Sequence, residues 1–335
     1  MIAIPAEILA ALITPYEISP ESLTFLGGGR EDSDGIAYTY SRAGVKERVL
    51  KILALPGDSK AGLARIGERL KFVHFLGERG APIVYPLPAR DGRLLATASS
   101  ANTTFVAYSM EKAAGILAQP GQWSDGFIHN WGKTIGQLHR IAQCYPVWRQ
   151  APGNGADGPL ALGWMEEWHS FYASMHDPEI RSCWLAIRER LAKLPVTRDA
   201  YGFIHNDPHI QNILVDGEKI VLLDFDVATT HWFVNDIAIA LQGLLFAQSG
   251  GMERPVADPA PLHTFLDFFM RGYETENHLE RHWLDQLDLM ISYRRILLFT
   301  VMQGWLKSQP AVRAGWKDMI LKEPPVVGNL PLGPT

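Results

Sequence analysis

The segment that decides the fold is residues 203–226, which read FIHNDPHIQNILVDGEKIVLLDFD. It holds a histidine, an aspartate two positions later and an asparagine five positions after that, namely His205, Asp207 and Asn212. The apolar runs on either side of an Asp-Gly turn predict a two-stranded hairpin, and Asp224 ends its second strand. A loop followed by such a hairpin brings two carboxylates and one amide to one face.

Oxygen ligands of this kind suit Mg²⁺, which takes few protein carboxylates together with water and phosphate oxygens. Phosphoryl transfer needs one carboxylate to accept or orient the hydroxyl proton, and further oxygen ligands to hold metal ions at the phosphates. We therefore expect Asp207 to act on the hydroxyl, and Asn212 and Asp224 to hold the metal. The alternative is that both aspartates are turn residues. For His205 we expect a structural role, in which the imidazole packs and hydrogen-bonds to hold the loop.

The composition is that of a globular protein with one large domain or two coupled lobes. Of 335 residues, 47% are apolar and 20% charged, and the net charge is -5, which argues against binding to nucleic acid or anionic lipid. Cys144 and Cys183 have neither disulfide-scaffold nor zinc-site spacing, so a reducing cytoplasm fits best. The apolar run 296–302 is too short to span a membrane.

Strands come first and helices later, which predicts an α+β chain of two unequal lobes, with the cleft between them as the default site. We expect an N-terminal helical extension at 1–20, a small antiparallel sheet with one helix at 21–110, a mainly helical lobe at 111–322 and a loose tail at 323–335. The predicted strands are 23–26, 36–40, 48–55, 94–97, 104–109, 213–215 and 220–224. The predicted helices are 6–13, 60–78, 126–143, 163–175, 179–193, 235–247, 261–276 and 279–307, with Trp305 in the core.

At residues 203–241 the chain resembles the aminoglycoside phosphotransferase and choline kinase family, whose loop typically reads His-Gly-Asp-x-His-x-x-Asn. His209 stands where protein kinases of eukaryotes usually have lysine, which favours the small-molecule kinase branch. Asn206 departs from the family's glycine. The resemblance implies a protein-kinase-like bilobal fold whose small lobe, 21–110, binds ATP. It also implies that Asp236, near the start of the next helix, supports the loop together with His205.

Lys51 is an unusual charge in an apolar strand, because alternation places it on the same face as Val49. The resemblance implies that Lys51 pairs the ATP phosphates, that Val49 packs on the adenine, and that Glu68 of the following helix holds the lysine. An edge-strand lysine that guards against aggregation is the alternative reading. A solvated Glu68 is the alternative for the helix residue.

The remaining nucleotide contacts are also implied by the resemblance. A glycine-rich turn between the first two strands, with Gly28, Gly29 and Ser33, would lie over the phosphates, although an ordinary hairpin turn explains it almost as well. Backbone groups near Tyr108 and Met110 would bond the adenine edge.

The acceptor site is expected in the helical lobe. Asp226 and Glu274 are candidate carboxylates for a cationic acceptor, and Trp232 is a candidate for stacking on a sugar or a quaternary amine. Solvated helix faces are the plainer reading for the carboxylates.

Three function classes stay open. The first is an enzyme, an ATP- and Mg²⁺-dependent phosphotransferase acting on a hydroxyl of an amino-sugar-like, choline-like or homoserine-like small molecule. The second is a bacterial stress-type Ser/Thr protein kinase of the same fold. The third, a non-catalytic nucleotide-binding protein, is disfavoured because Lys51, Asp207, Asn212 and Asp224 are all present. Nothing in the sequence fixes the oligomeric state.

Overall fold

The computed structural model describes residues 4–28, 35–41, 46–57, 59–100, 102–119, 123–146, 163–248, 260–322 and 326–328. The chain divides into two compact units, Met1–Ala114 and Gly115–Thr335.

The first unit is built on an antiparallel sheet, which has six strands among the described residues. The strands are β1 (Thr24–Gly28), β2 (Ile36–Tyr40), β3 (Arg48–Pro56), β4 (Pro86–Leu87), β5 (Ala96–Ser100) and β6 (Thr103–Glu111). Their order is β1-β2-β3-β6-β4, and β5 also pairs with β6. The central strands β3 and β6 pair along their whole length. The strands β2, β4 and β5 take their register from this central pair.

Alternation along β3 sends its side chains to two different cores. Leu50 and Ile52 pack with helix α1 (Ala6–Ile13) on one face of the sheet, whereas Leu53 packs with Leu70 of helix α2 (Lys60–Glu78) on the other. The segment that we expected to be an N-terminal extension is therefore integral to the sheet's core. Its Tyr16 is buried and donates a hydrogen bond to the carbonyl oxygen of Ala107 at 3.1 Å.

The second unit is mainly helical. Its helices are α3 (Asp125–Ala142), α4 (Trp164–Ser174), α5 (Pro178–Leu191), α6 (Val234–Gln248), α7 (Ala260–Glu274), α8 (Arg281–Leu284), α9 (Leu287–Val301), α10 (Gln303–Lys307) and α11 (Pro310–Lys322). Its strands are β7 (Ile116–Leu117), β8 (Tyr201–Ile204), β9 (Ile213–Asp216), β10 (Lys219–Leu222) and β11 (Thr229–Trp232). Strands β10, β9 and β7 form one small sheet, and β11 pairs with β8 in another.

Helices α3 and α7 can approach each other closely because glycines lie at their contact. A Cβ on Gly132 would collide with the carbonyl oxygen of Phe269, and one on Gly272 would collide with that of His129. This packing carries His139 of α3 and Tyr273 of α7 into the buried interior, where both support the loop that follows β8.

The C-terminal helices differ from the expectation. The single helix predicted over 279–307 is broken into α8, α9 and α10, and the break between α9 and α10 lies at Met302, where the backbone leaves the helical region. Trp305 consequently lies on α10 with 48% of its surface exposed, so its predicted place in the core is wrong. No helix in the described ranges combines the length and the apolar character needed to cross a membrane.

Asp177 joins α5 to α11. Its Oδ1 accepts hydrogen bonds from the backbone N–H groups of Glu179 and Ile180 at the start of α5, and its Oδ2 contacts Arg313 and Lys317 of α11 at 2.8 and 3.0 Å. Burial alone would raise the pKa of Asp177, but the hydrogen bonds from Lys317 and from the backbone outweigh it, so the pKa lies below its ordinary value.

We expect Asp177→Ala to lower the free energy of unfolding by about 2 kcal/mol at pH 7, because both the helix cap and the ion pairs are lost. Since the folded-state pKa is depressed, this stabilisation is fully present above the unfolded value of about 3.9 and is lost as the pH falls through the folded-state pKa. Urea unfolding should therefore show a constant wild-type advantage from pH 7 down to about 4, and this advantage should shrink as the pH is lowered further. Ser124→Ala is the matched control, because Ser124 caps α3 by accepting from the N–H of Phe127. It should cost about 1 kcal/mol without that pH dependence. An equal, pH-independent loss in both variants would contradict the ion-pair contribution.

Candidate active site

The loop that carries His205 and Asp207 leaves the end of a buried strand. All four residues of β8 are buried, and the strand pairs antiparallel with β11 so that Ile204 lies opposite Thr229. The loop starts at the next residue and runs into a short 3-10 turn, Ile210–Asn212. The strand fixes where the loop begins, and the turn fixes where it ends.

Asp236, in the first turn of α6, holds the beginning of this loop. Its carboxylate is fully buried and accepts hydrogen bonds from the backbone N–H of His205 at 3.0 Å and of Asn206 at 2.8 Å. The same carboxylate lies 3.1 Å from Nε2 of His139, whose Nδ1 lies 2.9 Å from the hydroxyl of Tyr273. Asp236 thus accepts hydrogen bonds from two buried N–H groups of the loop, and His139 holds its carboxylate from the other side.

His205 is buried, and each of its ring nitrogens has a backbone hydrogen-bond partner. Nε2 lies 2.8 Å from the carbonyl oxygen of Leu223, and Nδ1 accepts from the N–H of Asp207 at 3.3 Å. Since Nδ1 accepts, Nε2 is the donor to the carbonyl of Leu223. The ring also packs on Phe225 with centroids 4.1 Å apart. With both nitrogens engaged, the imidazole is placed to brace the loop rather than to carry a proton to a substrate.

Leu223, the residue before Asp224, is tied to the loop by two hydrogen bonds. Its backbone N–H donates to the carbonyl oxygen of Asn212 at 2.9 Å, while its own carbonyl meets His205. The side-chain amide nitrogen of Asn212 donates to the carbonyl oxygen of Asp207 at 2.9 Å, which leaves the amide oxygen as the atom that could hold a metal. Asp224 follows directly, with an exposed side chain and a left-handed backbone at φ 58°.

Asn206 also has a left-handed backbone, with φ 66°. Asparagine is one of the few residues other than glycine that adopt this conformation readily, which explains how it replaces the glycine of the family pattern. Its side chain adds contacts that glycine lacks. Nδ2 donates to Oε2 of Glu167 on α4 at 2.6 Å and to the carbonyl of Val227 at 3.2 Å, and Oδ1 accepts from Asn235 at 3.0 Å.

Each carboxylate oxygen of Asp207 has a cationic or hydrogen-bonding neighbour. Arg294 of α9 donates from Nη2 to Oδ1, and Nε2 of His209 lies 3.4 Å from Oδ2. Burial raises the pKa of Asp207, but the His209 hydrogen bond and the charge of Arg294 outweigh it, so the pKa lies below its ordinary value. Asp207 is therefore a carboxylate at neutral pH, as a proton acceptor must be.

Sequence reasoning missed Arg294, which lies 87 residues after Asp207. The available signal was a pair of arginines, Arg294 and Arg295, within an otherwise apolar helix. It missed Glu167 as well, because the amphipathic pattern of α4 gives a carboxylate in its first turn no special prominence.

In the first unit, the predicted nucleotide residues share one face of two paired strands. In the register of β3 and β6, Val49 lies opposite Met110 and Lys51 lies opposite Tyr108. Tyr108 and Met110 pack with the cluster beneath α2. Lys51 stands on the α2 side of the sheet, two residues before Leu53 of the same cluster.

Gly28 ends β1 in a left-handed conformation with φ 83°, and a Cβ there would collide with the carbonyl oxygen of Gly35. Glycine is therefore required where the chain enters the turn. Gly29 and Ser33, the other two predicted flap residues, lie outside the described residues. Glu68 of α2 is half-buried and pairs with Lys71 at 2.6 Å, and its pairing with Lys51 stays a prediction.

The acceptor candidates are placed very differently from one another. Trp232 is only 1% exposed, and its Nε1 donates to the carbonyl of Pro195 at 2.8 Å. No face of the indole is left for a sugar or a quaternary amine, contrary to the expectation from sequence. Asp226 is half-buried, two residues past Asp224, and Glu274 is exposed at the last residue of α7. Acceptor contacts by these two carboxylates stay predictions.

Comparison with known proteins places this geometry in a family. A family model described as the phosphotransferase enzyme family matches residues 25–283. The chain is 25% identical over 302 residues to amicoumacin kinase of Bacillus subtilis (strain 168), covering 88% of this chain and 84% of that protein. It is 26% identical over 265 residues to homoserine kinase of Rhizobium meliloti (strain 1021), covering 74% and 71%.

Solved structures share the fold. An amicoumacin kinase in complex with AMP-PNP, Ca²⁺ and Ami superposes with a TM-score of 0.78 at 22% identity, covering 96% of this chain and 93% of that one. A microcompartment-associated aminopropanol kinase gives a TM-score of 0.61 at 18% identity, covering 94% and 95%. The fold is thus the α+β fold of these kinases, and, with a family model spanning most of its length, the chain belongs to the phosphotransferase enzyme family.

Proposed function

We propose that the protein transfers the terminal phosphate of ATP, with Mg²⁺, to a hydroxyl group of a small molecule. The observation that carries the proposal is the loop of Asp207, whose backbone is held by the buried Asp236 and bonded by Asn212, and whose carboxylate has a lowered pKa. Family membership supports the reaction type, and the named relatives act on small molecules.

The donor set fits a hard divalent cation. The amide nitrogen of Asn212 is engaged by the loop itself, so its oxygen is the atom left to bind a metal, and Asp224 adds a carboxylate. Mg²⁺ prefers such oxygen ligands and completes its shell with water and phosphate oxygens. When bound, the metal would neutralise charge on the phosphates. A kinase of the same fold has been solved with AMP-PNP and Ca²⁺, which supports binding of a nucleotide with a divalent cation.

The protein's own residues then account for the transfer. The acceptor oxygen bonds to the terminal phosphorus, the bond from phosphorus to the bridging oxygen breaks, and ADP leaves. The hydroxyl proton passes to Asp207, which is ionised and placed by the loop to receive it. His205 and Asp236 keep the loop in shape and take no part in moving the proton. We assign Lys51 to the phosphates, and backbone groups near Tyr108 and Met110 to the adenine.

The acceptor is proposed to be an amino alcohol, a hydroxy amino acid or a related polar metabolite. Amicoumacin kinase, homoserine kinase and aminopropanol kinase are named for such compounds. Within the described residues, Cys144 and Cys183 are free, which is consistent with our expectation of a reducing cytoplasm.

The direct test is transfer from [γ-³²P]ATP with Mg²⁺ to a panel of homoserine, aminopropanol, choline, aminoglycosides and a generic protein substrate. We expect label on at least one small molecule and none on the protein. Label on the protein substrate alone would favour the stress-type protein kinase. Failure to bind Mg-ATP in calorimetry would overturn the proposal.

Lys51→Ala should weaken the use of nucleotide, because a charge-assisted contact to the phosphates is removed. We expect the KM for ATP to rise about tenfold, which corresponds to about 1.4 kcal/mol. Lys112→Ala is the control in the same unit, since Lys112 forms an exposed pair with Glu47 at 2.7 Å, and it should leave KM unchanged. Normal turnover and normal KM in Lys51→Ala would show that β3 does not meet the phosphates.

A further inference from the structure

Arg294 is the residue of the C-terminal helices that touches the proton-accepting carboxylate. It projects from α9, and its side chain is only 12% exposed. Nη2 donates to Oδ1 of Asp207, while Nε is buried with no hydrogen-bond partner among the described residues. The buried Nε therefore lacks a hydrogen bond that it would make to water, and this loss costs free energy. Within the described part of the chain, the hydrogen bond of the guanidinium goes to the carboxylate proposed to perform the chemistry, so the cost is tied to Asp207.

Helix α9 reaches the same loop by a second route. The residue before Arg294 is Tyr293, which is buried and donates to Oε1 of Glu167 at 2.6 Å. The other oxygen of Glu167 accepts from Asn206, the residue before Asp207. Two consecutive residues of α9 thus bear on two consecutive residues of the loop. Tyr293 holds Glu167 of α4, which accepts from the side chain of Asn206. Arg294 contacts the carboxylate of Asp207 directly.

Without Arg294, rotation of the Asp207 carboxylate about its side-chain bonds would be restrained chiefly by His209. The distance from His209 Nε2 to Oδ2 is 3.4 Å, which is long for a strong hydrogen bond. Arg294 donates a hydrogen bond to Oδ1, and a planar guanidinium imposes a direction that a lysine ammonium does not. The orientation of the carboxylate is therefore set mainly from α9.

We propose that Arg294 is a positioning residue for phosphate transfer, which fixes the direction in which the Asp207 carboxylate faces the acceptor hydroxyl. The inference rests on the proposed function. It adds to that function a part of the site supplied by the C-terminal helix. Arg294 is not assigned any contact with nucleotide or acceptor.

The test uses the full chain with Arg294→Ala, Arg294→Lys and the control Arg271→Ala. Arg271 forms an Arg–Asp pair on the exposed surface of α7, with Asp267. For Arg294→Ala we expect kcat to fall about 10²-fold, as misplaced catalytic groups do, while the KM for ATP stays within about twofold because nucleotide binding is not disturbed. Arg294→Lys should recover part of the loss, and Arg271→Ala should match the wild type.

Chemical rescue separates positioning from a general loss of structure. Low-millimolar guanidinium chloride should raise the activity of Arg294→Ala, because the free cation can enter the space left by the side chain. Urea, which has the same shape and no charge, should not raise it, and neither should sodium chloride at matched ionic strength. A merely destabilised variant would not gain activity at this guanidinium concentration.

Two results would overturn the inference. One is wild-type kcat in Arg294→Ala, and the other is a loss of kcat that guanidinium does not rescue and Arg294→Lys does not recover. An inactive wild type would instead count against the proposed function. In that case a crystal structure of Arg294→Ala decides the inference, because the Asp207 carboxylate should turn away or split into two orientations. A single unchanged orientation would refute it.

Discussion

Replacing Asp207 by alanine should abolish phosphate transfer, lowering kcat by about 10³-fold or more, while leaving the affinity for Mg-ATP within about twofold. The residue takes the proton of the acceptor hydroxyl, so its loss affects the chemical step and not the binding of nucleotide. Asp207→Asn should behave in the same way, because an amide of the same shape cannot accept that proton. Isothermal calorimetry with Mg-ATP and steady-state kinetics with the best acceptor from the panel make the two measurements.

Asp216→Ala provides the control for this prediction. Asp216 is an exposed carboxylate at the end of β9, on the hairpin that follows the loop, and its removal should change neither kcat nor nucleotide affinity. A strong loss of Mg-ATP affinity in Asp207→Ala would assign this aspartate to the nucleotide instead of the acceptor. Asp224 would then be the carboxylate left to accept the proton of the acceptor hydroxyl.

Replacing Asp236 by asparagine should lower the free energy of unfolding by about 3 kcal/mol and reduce activity severely. The buried carboxylate accepts from the N–H groups of both His205 and Asn206 and also contacts His139. An asparagine side chain has one acceptor oxygen and turns an NH₂ group toward one of these partners, so a buried donor stays unpaired. Chemical denaturation measures the first effect, and the transfer assay measures the second.

Asp288→Asn is the matched control, because the Asp288 carboxylate also accepts three backbone hydrogen bonds, from Val326, Val327 and Gly328, at a less buried place. Water can replace some of these contacts, so we expect a loss of about 1 kcal/mol with normal activity. Equal effects in the two variants would mean that burial of Asp236 adds nothing to the loop.

The local pattern predicted two elements of the first unit with their bounds. The predicted helix 60–78 corresponds to Lys60–Glu78, and the predicted strand 36–40 corresponds to Ile36–Tyr40. Both are long or strongly alternating segments with clear turn residues at their ends. Strands β8 and β11 were missed because each has only four residues, all buried, so neither shows alternation. Helix α11 was missed although Pro310 stands at its first position, which is a common helix start.

The residues of the candidate site also divide into those that the sequence predicts and those that only the packing of the chain reveals. Asp207, Asn212 and Asp224 lie within one short segment, and their chemistry follows from their spacing. Arg294 could not be found in this manner, because its contact with Asp207 depends on how α9 packs against the loop from 87 residues away. Trp232 shows the converse error, since a large aromatic residue near a predicted site is as often part of the core as part of a binding surface.

The two adjoining side chains of α9 have a consequence for how this helix can change during evolution. Consecutive helical residues point about 100° apart, so Tyr293 and Arg294 reach Glu167 and Asp207 at only one rotation of the helix about its own axis. A single inserted or deleted residue between 287 and 292 would turn both side chains away together. We therefore expect homologues to vary this helix by exchanging residues while preserving its length.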